Sequence, residues 1–236
     1  MVNRDDLPPP VRERMRPEYW FDQANIPKQL QSTDWERFEG TGAEKAADIA
    51  FDLVEEWLNE DGIRGISLFG NPGRGKSSLV ATMLCSLIEE TMPTTLNGLF
   101  SEDVQGYFIT LDEYHRLYLE LYELEKWAKF ASGDTSDAYA EWQVNFALRR
   151  FIEQEVPHLV LDDVGNEHHT TSGAVQDKFH GLIRGRYAKG LSTSLTSNLT
   201  DEKFIESYGA PQLSFIQEST QVVKVVGRDF RHRGRG

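Results

Sequence analysis

The sequence predicts an α/β fold: a mostly parallel five-stranded sheet flanked by helices, read from three observations. Short apolar runs with the character of strands alternate with stretches of helical period along most of the 236 residues. A glycine-rich turn, Gly70-Asn71-Pro72-Gly73-Arg74-Gly75-Lys76-Ser77, joins an apolar run to the helix that follows it. A later apolar run, Leu159-Val160-Leu161, ends in the paired carboxylates Asp162-Asp163.

Taken in order, the first ten residues end in Pro8-Pro9-Pro10, which disfavours a helix before Val11 and suggests an arm. Residues 12–38 mix charges with Tyr19, Trp20, Phe21, Trp35 and Phe38 around the turn-like Asn25-Ile26-Pro27. Residues 1–40 are therefore read as a short N-terminal extension. Its aromatics either pack on the main domain, the favoured reading, or present a partner-docking surface. Gly40-Thr41-Gly42 punctuates the chain, and residues 41–236 form the main domain. A helix from Ala43 to about Asn59 places Ala46, Ile49, Ala50, Leu53, Val54, Trp57 and Leu58 on one face.

Ile66 and Leu68-Phe69 make the strand before the glycine turn. After Lys76, residues Leu79, Val80, Met83, Leu84, Leu87 and Ile88 recur at helical spacing. Gly106 to Leu111 is the next strand, with Asp112 placed to cap a helix from Glu113 to Phe130. The stripe Tyr114, Leu117, Tyr118, Leu121 in that helix reads as core. A polar loop at 132–137 leads into a second helix ending near Glu155, and further strands are expected at Leu159–Leu161, Leu191–Ser197 and Val222–Val226.

Composition limits the classes of function. No apolar stretch approaches the length of a bilayer span, and the N-terminus lacks the basic and apolar regions of a secretion signal, so a cytoplasmic location and no membrane partner are expected. The single cysteine, Cys85, excludes an internal disulfide, and no Cys/His cluster has zinc-ligand spacing; His168-His169 are simply adjacent. A formal net charge of −13 argues against broad adhesion to nucleic acid. The sign reverses only near the C-terminus, where Arg228, Arg231, Arg233 and Arg235 crowd together and single-stranded DNA is a candidate ligand.

The residues from Gly70 to Ser77 satisfy G-x-x-x-x-G-K-[ST], a phosphate-binding pattern, and their flanks have the required order of strand, loop and helix. Gly70, Gly73 and Gly75 allow a turn tight enough to aim main-chain N–H groups inward, with Asn71, Pro72, Arg74 and Ser78 completing the cradle. A nucleoside triphosphate, ATP, is the expected ligand. Lys76 reaches its β/γ-phosphates and Ser77 ligates Mg²⁺. Asp162 holds the same Mg²⁺ through its water shell, and Asp163 orients or deprotonates the attacking water.

Through these motifs the chain resembles the DnaC/IstB branch of the AAA+ ATPases, which includes bacterial and phage replicative helicase loaders. The resemblance rests on Gly70–Ser77, on Leu159 to Gly165 with Glu167, on Arg186-Tyr187 ahead of Thr196-Ser197-Asn198-Leu199-Thr200, and on Val226 to Arg231. Asn25-Ile26-Pro27 and Phe38 extend it upstream. It implies that Asn198 is the polar sensor between γ-phosphate and lytic water, and that Arg231 is a second sensor that stabilises phosphoryl charge.

The sequence departs from that family at two places. Asp163 stands where many AAA+ proteins carry Glu. The segment Ala210 to Phe215 lacks the arginine that usually serves a neighbouring subunit, which leaves Arg184 or Arg186 for that role in any homo-oligomer. Only about forty residues precede the core, so a helicase contact there must be compact. The expected function is an ATP-hydrolysing accessory protein of DNA replication that loads a replicative helicase. The alternatives are a transposition regulator that coats DNA, a small-molecule kinase, and a nucleotide-gated binding module with little turnover.

Overall fold

The computed structural model describes residues 13–59, 64–92, 104–130, 136–166, 173–227 and 229–230. Five strands, β1 (Gly65–Phe69), β2 (Gly106–Thr110), β3 (His158–Val164), β4 (Ser192–Ser197) and β5 (Thr220–Lys224), form one sheet in the order β2-β3-β4-β1-β5. Every pairing is parallel. Helices α1 (Pro17–Gln23) and α2 (Glu44–Leu58) precede β1. Parallel strands require crossovers, and helices supply them: α3 (Lys76–Thr91), α4 (Leu111–Phe130), α5 (Ser136–Gln154), α6 (Ala174–Tyr187), α7 (Asp201–Tyr208) and α8 (Ala210–Ser219). Among the described residues no helix is long and apolar enough to cross a membrane.

The strands β1 and β4 are buried along their whole length, as expected of central parallel strands, yet β4 reads Ser-Thr-Ser-Leu-Thr-Ser. Most of its hydroxyls are hydrogen-bonded, Ser192 Oγ being the exception among them. Ser194 Oγ accepts from Ile66 N at 3.1 Å, Ser197 Oγ donates to Val164 O at 2.7 Å, and Thr196 Oγ1 donates to Asp162 Oδ1 at 2.5 Å. Strand β5 starts two residues earlier than the apolar pattern suggests. Thr220 pairs with Gly65 and its hydroxyl lies 2.6 Å from Ser67 Oγ, so polar residues extend the ladder.

Two apolar layers hold the sheet. On one face α2 and α3 bury Ala46, Ala50, Leu53, Leu79, Met83 and Leu87; on the other, α4, α6 and α7 bury Tyr114, Leu117, Phe179, Leu182 and Phe204. The start of α4 differs from the expectation. Leu111 begins the helix rather than ending β2, and the cap is Thr110 with Glu113: Glu113 N donates to Thr110 Oγ1 at 3.1 Å and Thr110 N donates to Glu113 Oε2 at 2.9 Å. Asp112 lies inside the first turn, paired with Arg116 at 3.1 Å.

The described part of the N-terminal segment joins the first layer. Trp20, Phe21, Ala24, Ile26 and Phe38 are buried in the same core cluster as α3, and Trp35 Nε1 donates to Ser86 Oγ at 3.0 Å. Phe108 N donates to Ala24 O at 2.8 Å while Asn25 Nδ2 donates to Phe108 O at 2.8 Å, so this segment covers the open edge of β2. Trp20, only 3% exposed, is thereby removed from the set of surface anchors the composition suggested.

Arg186 needs a similar correction. The candidate for reaching a neighbouring subunit is completely buried at the end of α6. Its guanidinium donates to the carbonyls of Ile152 (2.5 Å), Val156 (2.9 Å), Pro157 (3.2 Å) and Ser192 (2.7 Å) and to Thr193 Oγ1 (3.0 Å). It ties the end of α5 to the start of β4 by satisfying carbonyls that a terminating helix leaves open. Arg184 stays exposed, with its guanidinium 4.3 Å from the Phe215 ring centre.

Candidate functional site

The glycine loop leaves β1 at the carboxyl end of the sheet and turns into α3 through Gly75, whose φ of +83° is the left-handed conformation that glycine adopts without strain. The first turn of α3 directs main-chain N–H groups and the positive end of its dipole at the loop. Lys76, the first helical residue, is 5% exposed. Its Nζ donates to Gly70 O (2.7 Å), Asn71 O (3.0 Å) and Asn198 Oδ1 (2.7 Å). A buried ammonium held by carbonyl oxygens is poised for an anion at the mouth of the loop.

Next to it, β3 departs from regular alternation. Leu161 pairs with Leu195 but Val164 pairs with Ser197, so three steps on β3 match two on β4. That extra residue is a β-bulge, and within it Asp163 has a φ of +62°. In a regular strand two successive side chains point to opposite faces. The bulge instead gathers both aspartates around one residue: Thr196 Oγ1 donates to Asp162 Oδ1 at 2.5 Å and accepts from Asp163 N at 3.0 Å.

The two carboxylates then differ in surroundings. Asp162 is 7% exposed, and burial raises its carboxyl above the ordinary value; hydrogen bonds from Thr196 and Ser77 act in the opposite sense, and the charge of Asp163 adds to the rise. Asp163 is half-buried, and its Oδ1 accepts from Asn198 Nδ2 (3.0 Å) and Asn166 Nδ2 (2.6 Å). Asn198 therefore bridges Lys76 and Asp163, one side-chain atom to each.

These groups surround a cavity of about 290 Å³ lined by residues 73–78, Asp163, Thr196, Asn198 and Phe230. Gly70, Asn71 and Pro72 do not line it; the first two contribute carbonyls to Lys76, and Pro72 is exposed. Ser77 and Asp162, bonded to each other, offer one hydroxyl and one carboxylate, a set that suits a Mg²⁺ ion retaining most of its water. No cluster of three or more His, Cys, Asp or Glu side chains with metal-binding geometry occurs among the described residues.

Arg231 and Glu167 lie outside the described residues, as do Arg228, Arg233 and Arg235. Three site residues escaped the sequence reading in these roles: Thr196, the hub of the aspartate pair; Asn166, a second donor to Asp163; and Phe230. For Thr196 and Asn166 the only signal is a polar side chain near a strand end, which turns and caps display just as often.

No family model matches the chain, and no curated protein matches it. Solved structures do. The DnaC helicase loader is similar at a TM-score of 0.61 and 20% identity, covering 85% of this chain and 100% of that one. DnaI is similar at 0.57 and 19%, covering 87% and 94%. The replication initiator DnaA bound to AMPPCP and single-stranded DNA is similar at 0.56 and 16%, covering 87% of this chain and 53% of that one. At these identities the likeness is one of fold: an α/β architecture built on a parallel five-stranded sheet flanked by helices.

Proposed function

We propose that this chain binds and hydrolyses ATP and acts as an accessory protein of DNA replication, loading a replicative hexameric helicase onto DNA. The observation that carries the enzymatic half is the hydrogen-bonded series Lys76, Asn198, Asp163, which joins the phosphate loop to a carboxylate across three strands. The replication half is supported by likeness in fold to the DnaC helicase loader and DnaI. The net charge of −13 disfavours the reading in which the protein coats duplex DNA for transposition.

Each residue has a defined task. Main-chain N–H groups of the loop and the start of α3 bind the polyphosphate, and Lys76 exchanges carbonyl partners for the β/γ-phosphate oxygens. Ser77 and Asp162 hold Mg²⁺, which supplies charge neutralisation on the phosphates. Asp163 accepts the proton of the attacking water, and the Asn198 amide fixes the carboxylate's orientation without adding charge. Arg184, exposed, is the arginine that serves a neighbouring copy if the protein assembles, and Arg231 is proposed to sense the γ-phosphate. The helicase contact is placed on the segment before Gly40, where Tyr19 remains half-exposed.

Lys76→Ala tests the core of this reading. Calorimetry is expected to show loss of ATP binding with an unchanged melting profile, and undiminished affinity would sink it. A purified replicative helicase retained by the wild-type protein with ATP, and released by Tyr19→Ala, supports the loader role; retention of none overturns it. Deleting residues 1–22 is the poorer variant, because it extracts Trp20 and Phe21 from the core.

A further inference from the structure

Across the sheet order β3-β4-β1-β5, the cavity has two ends. Asp163 and Asn198, at the carboxyl ends of β3 and β4, make one. The other is closed by a short strap after β5. Three successive loop residues are each engaged by it: Phe230 N donates to Gly73 O at 2.8 Å, Arg74 Nη1 donates to Gly227 O, and the Phe230 ring lies over Gly75. The contact is close enough that a Cβ on Gly75 would sit 3.1 Å from Phe230 Cε2, and one on Gly73 would sit 2.1 Å from Asp229 Oδ1.

Phe230 differs in kind from the rest of the cavity wall. The remaining lining consists of glycines and polar side chains, suited to phosphate and metal; Phe230 is the one aromatic side chain among the lining residues. A nucleoside triphosphate has the same division, with charge at one end and a flat π-system at the other. We propose that Phe230 is the nucleoside-contacting residue of this site, recognising the base by stacking, so that the nucleotide lies across β1 with its γ-phosphate toward Asp163 and its base toward β5. This assignment rests on the triphosphate reading given above. It extends the site to a residue whose main chain also fastens the glycine loop.

The test separates the two ends of the ligand. Affinities of ATP and of inorganic tripolyphosphate are measured by calorimetry for the wild type, Phe230→Leu and Phe230→Trp. Loss of one stacking partner is expected to weaken ATP by roughly tenfold or more in the leucine variant, while tripolyphosphate binds within twofold of wild type, and tryptophan restores ATP. Leucine preserves apolar packing on Gly75, which guards the loop's conformation. Equal weakening of both ligands means that the ring only props the loop, and unchanged ATP affinity means that the base lies elsewhere; either result overturns the assignment. A wild-type protein that binds neither ligand defeats the triphosphate reading itself, a distinct outcome.

Discussion

Asn198 and Asp163, on neighbouring strands, share a hydrogen bond of 3.0 Å from amide nitrogen to carboxylate, and the oxygen of the same amide accepts from Lys76 at 2.7 Å. Because one amide serves both groups, a change in the lysine's partners on phosphate binding is felt at the carboxylate. Asp163→Asn is expected to bind ATP normally and to lower phosphate release by roughly 100-fold, the lower range for a general base. Asn198→Ala, which only misorients that base, lowers it less. Groups that act as a unit are not additive, so the double variant should match Asp163→Asn alone. Single-turnover phosphate release decides this; two independent, multiplying losses would contradict the bridge.

Asp162 is predicted to trade stability for metal binding. Its carboxyl lies above the ordinary value in the folded protein, so the folded state prefers the proton. As pH rises from that ordinary value through the raised one, folding loses free energy. Ionised, the buried group is a liability that a bound cation would offset. Asp162→Asn should raise the melting temperature of the nucleotide-free protein, corresponding to a stabilisation on the order of 1 kcal/mol, while abolishing the Mg²⁺-dependent part of ATP affinity. Thermal melts with and without Mg²⁺ check both signs.

Much of this arrangement was open to sequence reasoning. The apolar runs before Gly70 and Asp162 place β1 and β3 correctly, and Gly-Lys-Ser marks the start of α3, because buried parallel strands and helix N-termini have local signatures. Features set by non-local contacts were not legible. The bulge at Asp162-Asp163 depends on the register against β4. The burial of Arg186 depends on carbonyls left open by α5, whereas an arginine in isolation reads as surface. The aromatics at 19–38 carried no sign of which would face α3, so Trp20 and Tyr19 look alike in sequence and differ in burial.

His158, at the start of β3, gives the fold a dependence on acid. It is packed 4.2 Å from the Trp57 ring, and burial, reinforced by the charge of Arg186, lowers its value from 6.5 to about 4. The unfolded chain therefore takes up the proton first, and stability present above pH 6.5 is lost as pH falls toward 4. Its Nδ1 has no hydrogen-bond partner among the described residues, so an apolar ring is tolerated there. His158→Phe should melt close to wild type at pH 7.5 and distinctly higher at pH 5. Parallel pH profiles for the two proteins would refute the assignment.

Arg184 and Arg186, two residues apart, should respond oppositely to removal. Arg186→Lys leaves several buried carbonyls without donors, at a cost of about 3 kcal/mol in urea unfolding. Arg184→Ala should change stability by no more than about 0.5 kcal/mol, as expected for an exposed position. If hydrolysis depends on assembly, only Arg184→Ala lowers the concentration dependence of turnover while leaving the melt intact. A stable Arg186→Lys protein would show that the carbonyl network is dispensable.

Gly42 and Gly227 approach so closely that a Cβ on the first would lie 2.6 Å from the Cα of the second, and one on Gly227 would lie 2.2 Å from Thr41 O. Most of the chain separates these residues, and one side of the glycine loop is walled by the strap that contains one of them. Synthesis proceeds from the N-terminus, so a nascent chain displays Gly70–Ser77 long before the residues that complete its surroundings have left the ribosome. The pocket thus waits on β5 and the strap after it, and a nascent chain cut short of β5 has the phosphate loop in sequence but not the wall that Phe230 gives it. The meeting of Thr41-Gly42 with Gly227 and the completion of the loop's surroundings draw on the same strap, which makes an intact cavity at the loop a report that the fold has closed.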